Sequence, residues 1–254
     1  ESTSPYTALA VGYDLVMEHV DYHVWAGYVH QLLQQHGTST ETILELGCGT
    51  GSLALQLQPM GDYDYLATDR ARTMLRVAEI KADEAAADVS FAEADFTNFA
   101  VQEPVDAVLL LYDGLNYLLE KADIRKLLAN VQAALRPGGL FCFDQSTPFN
   151  SVVNNEDFED AGETEGFSYV RASQYDAETR LHTTAFEITI DGDTYHESHV
   201  QRAYDVSEIR NLLEASGLRE VAAYDNFSTE PATEDAQRVH WVAQRPPVPD
   251  SSSD

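Results

Sequence analysis

Three glycines at alternate positions, Gly47, Gly49 and Gly51, close the stretch Ile43-Leu44-Glu45-Leu46-Gly47-Cys48-Gly49-Thr50-Gly51, and a helical pattern starts at Ser52-Leu53-Ala54-Leu55. A strand that turns through glycines into a helix brings backbone N–H groups to the carboxyl end of a sheet, where open α/β sheets bind ligands. The spacing selects among ligands. A dinucleotide fingerprint needs its third glycine at position 52, where this chain has Ser52, and a phosphate loop needs a lysine that does not follow here. Asp69 stands twenty residues after Gly49, the place for a carboxylate that accepts two ribose hydroxyls. Asp95 ends the next strand candidate, followed by Phe96, whose ring can lie against a planar base. Together with Glu45, these acids suit a ligand carrying positive charge better than a pyrophosphate.

The elements that must hold these residues follow from periodicity. Strands are expected over 42–46, 63–68, 89–93, 105–112 and 140–144, with helices over 52–58, 71–87 and 122–135 between them. The alternation implies an α/β fold with a parallel sheet, helices on both its sides, and a small antiparallel β insertion after it. Residues 1–37 read as helices capping the site. Residues 38–147 and 206–245 form the core, where the second part supplies a helix over 206–215 and strands over 220–227 and 239–244. Residues 148–205 form the insertion, expected to act as a lid, with a loose acidic opening over 154–166 and a hairpin turn at Asp191-Gly192. The Pro- and Ser-rich end, 246–254, reads as a disordered tail.

The charge is extreme. Asp and Glu number 43 against 15 Lys and Arg, a net charge of −28 spread over the chain. Such a surface repels itself at low ionic strength, so a salt-loving source is expected. The same balance argues against a nucleic-acid partner, which needs clustered cations. No apolar run approaches the roughly 18 residues of a membrane span, and no signal peptide is read. Cys48 and Cys142 lie in apolar or glycine-rich segments, which fits free thiols in a reducing cytoplasm. His19 and His23 lack the glutamate of a zinc helix, and His196 and His199 point to opposite faces of a strand, so no metal site is expected.

"ILELGCGTGSLAL", "YLATDRARTML", "FAEADF", "VDAVLLLYDGLNYL" and "LRPGGLFCFD" resemble, in order and spacing, the motifs of class I S-adenosylmethionine-dependent methyltransferases. "YDLVMEHVDYHVWAGYV" and "HESHVQRAY" resemble a branch of small members with a β-rich insertion after the fifth strand. The resemblance implies that Gly47, Cys48, Gly49 and Gly51 hug the methionine portion of S-adenosyl-L-methionine, and that Glu45 orients its amino-acid end. It implies further that Asp69 takes the ribose hydroxyls, Arg70 and Met74 flank the adenosine, and Asp95 accepts the adenine amino group beside Phe96. Leu111 and Tyr112 would floor the pocket near the sulfonium, and the resemblance implies a doubly wound, Rossmann-like, seven-stranded sheet, mostly parallel with an antiparallel last strand. Arg70 departs from the family pattern, where a small or apolar residue is commoner.

Methyl transfer from a sulfonium is an in-line displacement on an activated carbon, so the protein contributes alignment and exclusion of water and no obligatory catalytic residue is read. A small-molecule acceptor, methylated at nitrogen or oxygen, is expected beyond the fourth and fifth strand ends. Its candidate contacts are Tyr112, Asn116, Tyr117 and Asp144, with Tyr13, Tyr22 and Trp25 closing from above. Arg202 and Arg238 are read either as anchors for an anionic substrate or as partners of the many acids. Two other readings stay open here: a non-catalytic S-adenosylmethionine-binding protein, and a nicotinamide oxidoreductase, which Ser52 disfavours. Monomer and homodimer are both open.

Overall fold

The computed structural model describes residues 1–37, 39–154 and 157–247. After α1 (Tyr13–Val16) and α2 (Tyr22–His36), the chain alternates through β1 (Thr42–Leu46), α3 (Ser52–Gly61), β2 (Asp64–Asp69), α4 (Arg72–Ala85) and β3 (Val89–Glu93). It continues through β4 (Val105–Leu110), α5 (Lys121–Ala134) and β5 (Leu135–Ser146). A short helix, α6 (Pro148–Asn154), leads to β6 (Asp157–Thr164), β7 (Phe167–Asp176), β8 (Leu181–Ile190) and β9 (Asp193–Arg202). The main unit is then completed by α7 (Val206–Ser216), β10 (Arg219–Asp225) and β11 (Arg238–Gln244).

The seven-stranded sheet has the order β10-β11-β5-β4-β1-β2-β3. The central pairs are parallel, and β11 runs antiparallel to both β5 and β10. Alternate residues of each central strand serve opposite faces, as the two-residue period of a strand requires. Leu44, Val108, Phe141 and Trp241 pack on one side with Leu127, Leu128 and Val131 of α5 and Leu213 of α7. Ile43, Ala107, Cys142 and Val242 face the other way, against Val29, Leu32 and Leu33 of α2 and Leu57 of α3. Both faces are buried, so the central strands read as continuous apolar runs. From β1 the chain builds outward to β2 and β3, then crosses back to β4, which puts the topological switch at the carboxyl ends of β1 and β4.

A second sheet, β6-β7-β8-β9, is antiparallel throughout. Asp191 and Gly192 join β8 to β9 with φ of 51° and 96°, as a two-residue hairpin turn with both central residues left-handed requires. The acidic stretch read as loose is largely strand: β6 pairs along its length with β7. Arg171 explains this, because it ion-pairs with Asp160 at 2.6 Å and lies over the Phe158 ring at 4.9 Å. Gly162 adds room, since a Cβ there would meet the Tyr169 ring at 2.7 Å.

The first residues also differ from a helical reading. They form an extended arm along the edge of β9, with Thr3 N donating to His196 O at 3.0 Å and His196 N to Glu1 O at 2.8 Å. Ala8, Leu9 and Val16 then bury against Phe167, Tyr169, Phe186 and Ile188 of the small sheet. Of the tail, residues 248–254 lie outside the described residues.

Candidate active site

β1 delivers Glu45 and Leu46 to the switch point, and the chain turns there through Gly47, Gly49 and Gly51 with φ of 68°, 56° and 73°. Residues with a Cβ adopt this left-handed region only at a cost. At Gly51 space is short as well: a Cβ would lie 3.1 Å from the Ala78 Cβ and 3.3 Å from the Phe91 ring. Gly51 therefore closes the turn against α4 and β3 and does not line the cavity. Gly47, Cys48 and Gly49 do, with Thr50, Ser52 and Leu53 beside them. The loop is fastened from outside, where Thr50 Oγ1 donates to Asp14 Oδ1 at 2.6 Å and Lys81 Nζ bridges Asp14 Oδ2 (2.6 Å) and Ser52 Oγ (2.7 Å).

The cavity in front of this loop measures about 580 Å³. Glu45 at its base is 3% exposed, and its Oε2 accepts from the Tyr65 hydroxyl at 3.0 Å. Burial lifts its carboxyl to about 7, against the opposing pull of that hydroxyl. Asp69, at the end of β2, accepts from Gly49 N (2.9 Å) on Oδ2 and from Ala71 N (2.7 Å) on Oδ1. Each carboxylate oxygen keeps a free lone pair, and the backbone fixes the direction in which the pair opens. Burial raises the Asp69 carboxyl above its ordinary range, although both N–H groups favour the ion.

Asp95, Phe96 and Thr97 form the far wall with Met74 and Arg70. Burial opposes ionisation of Asp95. The Thr97 hydroxyl and N–H, at 2.6 and 2.8 Å, outweigh it and hold the carboxyl below its usual range, with Arg70 adding to the effect. The Arg70 guanidinium reaches Asp95 at 3.8 Å, an exposed pair of small energetic weight. Glu120 and Asp123 also line the cavity, so Arg70 faces five lining acids. That imbalance favours a ligand with positive charge.

The opposite side is aromatic. Tyr13, Tyr22, Trp25, Leu111, Tyr112 and Tyr117 line it. Three other expected contacts do not. Asn116 is 2% exposed because its side chain is used up in bracing the main chain: Nδ2 donates to Ser146 O and Arg202 O, and Oδ1 accepts from Ser146 N. Asp144 is buried behind the wall, ion-paired with Arg238. Arg202 donates to Leu119 O at 2.6 Å and Thr179 O at 2.9 Å. Arg238 also binds Asp113 at 2.7 Å and lies 5.4 Å from the centres of the Trp25 and Tyr112 rings, so its charge is taken up by the protein.

A protein-family model described as a methyltransferase domain matches residues 43–139, the span from β1 into β5. The putative methyltransferase YqeM of Bacillus subtilis is 30% identical over 250 residues, covering 94% of this chain and 97% of its own. The chain belongs to the class I S-adenosylmethionine-dependent methyltransferases. This sets aside both the oxidoreductase and the non-catalytic reading. A crystal structure of such a methyltransferase from Clostridium acetobutylicum matches the fold with a TM-score of 0.80 at 22% identity, covering 93% of this chain and 96% of that one. The sugar N-methyltransferase KedS8 from a Streptoalloteichus species gives 0.74 at 20% identity, with 92% of each chain covered.

The methyltransferase cavity has lining residues that sequence reasoning missed. Tyr6 comes from the extended arm, where no periodicity marks it. Thr50 and Ser52 lie inside the quoted glycine motif, on either side of Gly51. Leu118 ends the quoted motif, Glu120 follows it in the loop between β4 and α5, and Asp123 stands in the first turn of α5.

Proposed function

We propose that this methyltransferase transfers a methyl group from S-adenosylmethionine to a nitrogen or oxygen of a small-molecule acceptor. The observation that carries the proposal is the composition of one cavity: a glycine turn, an aimed Asp69 and a wall of tyrosines share it. S-adenosylmethionine fits these residues. The Asp69 carboxylate, fixed by Gly49 and Ala71, has lone pairs free for two ribose hydroxyls. Asp95 is held ionised beside Phe96 and Met74, which suits an adenine with its amino group. Gly47, Cys48 and Gly49 leave room for the methionine portion, and Glu45 faces its amino end. When bound, the ligand supplies an activated methyl carbon.

The chain's own part is alignment and desolvation. Tyr13, Tyr22, Trp25, Tyr112 and Tyr117 form an apolar wall with polar tips, which orients an acceptor and keeps water out. Both ligands must share about 580 Å³, within the roughly 300–1,000 Å³ of small-molecule sites, so a small acceptor suits the remaining space. The name of the sugar N-methyltransferase neighbour agrees with an acceptor of this size. The arm brings Pro5 and Tyr6 to the cavity, where Thr73 Oγ1 donates to Tyr6 O at 2.7 Å and ties the arm to α4, which supports the reading of the small sheet that carries the arm as part of a lid. Free Cys48 and Cys142 suit a reducing cytoplasm.

The test incubates the protein at high salt with methyl-labelled S-adenosylmethionine and panels of amino sugars, amino acids, amines and phenols. A product one methyl group heavier, with the label on nitrogen or oxygen, is expected. Label transferred only to carbon, or only to macromolecules, would refute the acceptor class.

A further inference from the structure

Glu197 and His199 sit two apart on β9 and therefore share a face, and both are buried, at 2% and 3% exposure. Neither belongs to the cofactor motifs. Glu197 Oε2 accepts from Tyr6 N at 2.7 Å and meets His199 Nε2 at 3.2 Å. Its Oε1 accepts from Ala8 N (2.6 Å), Leu9 N (3.1 Å) and Thr3 Oγ1 (3.3 Å). On the other side of the ring, His199 Nδ1 meets the Tyr117 hydroxyl at 3.1 Å, and that hydroxyl is in contact with the hydroxyl of Tyr6. Tyr117 and Tyr6 both line the cavity.

The donors on Glu197 fix the polarity of this row. A carboxylate facing three backbone N–H groups is an ion and only accepts, so His199 donates from Nε2. In the singly protonated ring Nδ1 is then bare and accepts from the Tyr117 hydroxyl. The Tyr117 oxygen is left to accept, from Tyr6 or from a molecule in the cavity. Every hydrogen bond in the row points away from the cavity and toward Glu197. Burial opposes the Glu197 charge, but His199 and the N–H groups outweigh it and hold the carboxyl below its ordinary range. Burial also pushes the Tyr6 and Tyr117 phenols well upward, so neither stores a phenolate. The other ionisable groups facing these phenols are Tyr13 of α1, Asp69 at the end of β2 and Asp113 ahead of Tyr117.

We propose that Tyr117, backed by His199 and Glu197, carries away the proton that the acceptor loses on methylation, which makes the acceptor a hydroxyl, phenol or N–H group. The proposal rests on the methyltransferase reading of the cavity. The acceptor's lone pair forms the bond to the methyl carbon, and the electrons of the carbon–sulfur bond remain on sulfur. The acceptor's proton passes to the Tyr117 oxygen as the tyrosine's own proton moves to His199 Nδ1. A positive charge leaves the sulfur and one appears on the His199 ring beside Glu197, so the overall charge is unchanged. The proton returns to water when the product leaves. Tyr117 is the catalytic residue of this step, and His199 and Glu197 are positioning residues.

The first test is ¹⁵N NMR of histidine-labelled protein, free and with S-adenosylhomocysteine, with the His199 signals assigned from His199→Gln. The proton of the neutral ring should sit on Nε2; a ring protonated on Nδ1 would overturn the proposal whether or not the cofactor product binds. The second test uses an acceptor from the screen above. Tyr117→Phe should lower kcat by about 100-fold or more at neutral pH and recover as pH rises, while affinity for S-adenosylhomocysteine is kept. His199→Gln should shift the same pH profile. Variants with an unchanged rate and profile would show that the row merely holds the arm. Failure of the wild-type protein to bind S-adenosylhomocysteine would strike at the methyltransferase reading, and the ring tautomer of the free protein would still decide the proton path.

Discussion

Replacing Glu45 by glutamine should make the free protein more stable above neutral pH and a poorer binder of its cofactor. Glu45 is 3% exposed, and among the described residues its carboxyl has one partner, the Tyr65 hydroxyl. Burial raises its carboxyl from 4.5 to about 7 in the folded state. The folded protein thus binds more protons than the unfolded chain between those values, and stability falls as pH rises through that window. A displacement of about 2.5 units corresponds to about 3 kcal/mol, to order of magnitude, fully expressed above the folded value and absent below the unfolded one. Glu45→Gln keeps the shape and the bond from Tyr65 but cannot ionise. Urea unfolding of both proteins at acidic and mildly alkaline pH, at one ionic strength, isolates the term because the other acids cancel in the difference. The variant should match the wild type near pH 4.5 and exceed it by about 3 kcal/mol above pH 7.5. A difference that does not grow with pH would refute the reasoning. Cofactor affinity should move oppositely, since a cationic ligand favours the ionised acid: wild-type affinity should rise as pH passes 7, and that of the variant should stay low and flat.

Asp69→Ala removes the charged acceptor for the ribose and should weaken cofactor binding by about 1.5–3 kcal/mol, the range of hydrogen bonds to charged groups. Unchanged affinity in a calorimetric titration would remove Asp69 from that role. Arg238→Met leaves Asp144 buried and unpaired and should cost about 3–5 kcal/mol in urea unfolding; a loss below about 1 kcal/mol would mean that Asp144 is already neutral. With a net charge of −28, the melting temperature should climb between low and molar salt as self-repulsion is screened. A flat salt profile would refute the expectation of a high-salt habitat.

The parallel sheet was legible because its central strands are buried on both faces and read as apolar runs, such as Ala107-Val108-Leu109-Leu110 of β4. Its site was legible through glycines and strand-end acids, which local geometry alone explains. Strand β6 was not, since its acids suggest solvent and its partner Arg171 lies across a turn. The arm that carries Tyr6 shows no period, because it is held by Glu197 and the edge of β9. Asn116, Asp144 and Arg202 fall where ligand contacts belong, yet their polar groups are consumed by main chain or by Arg238. Such long-range pairings leave no mark in the sequence: Tyr117 and His199 are 82 residues apart.

The most direct measurement is a calorimetric titration of the wild-type protein, at high salt, with S-adenosylmethionine, S-adenosylhomocysteine and reduced nicotinamide dinucleotide. One site for each of the first two, and none for the third, is the expected result. Binding of the nicotinamide alone, or of none of the three, would contradict the account.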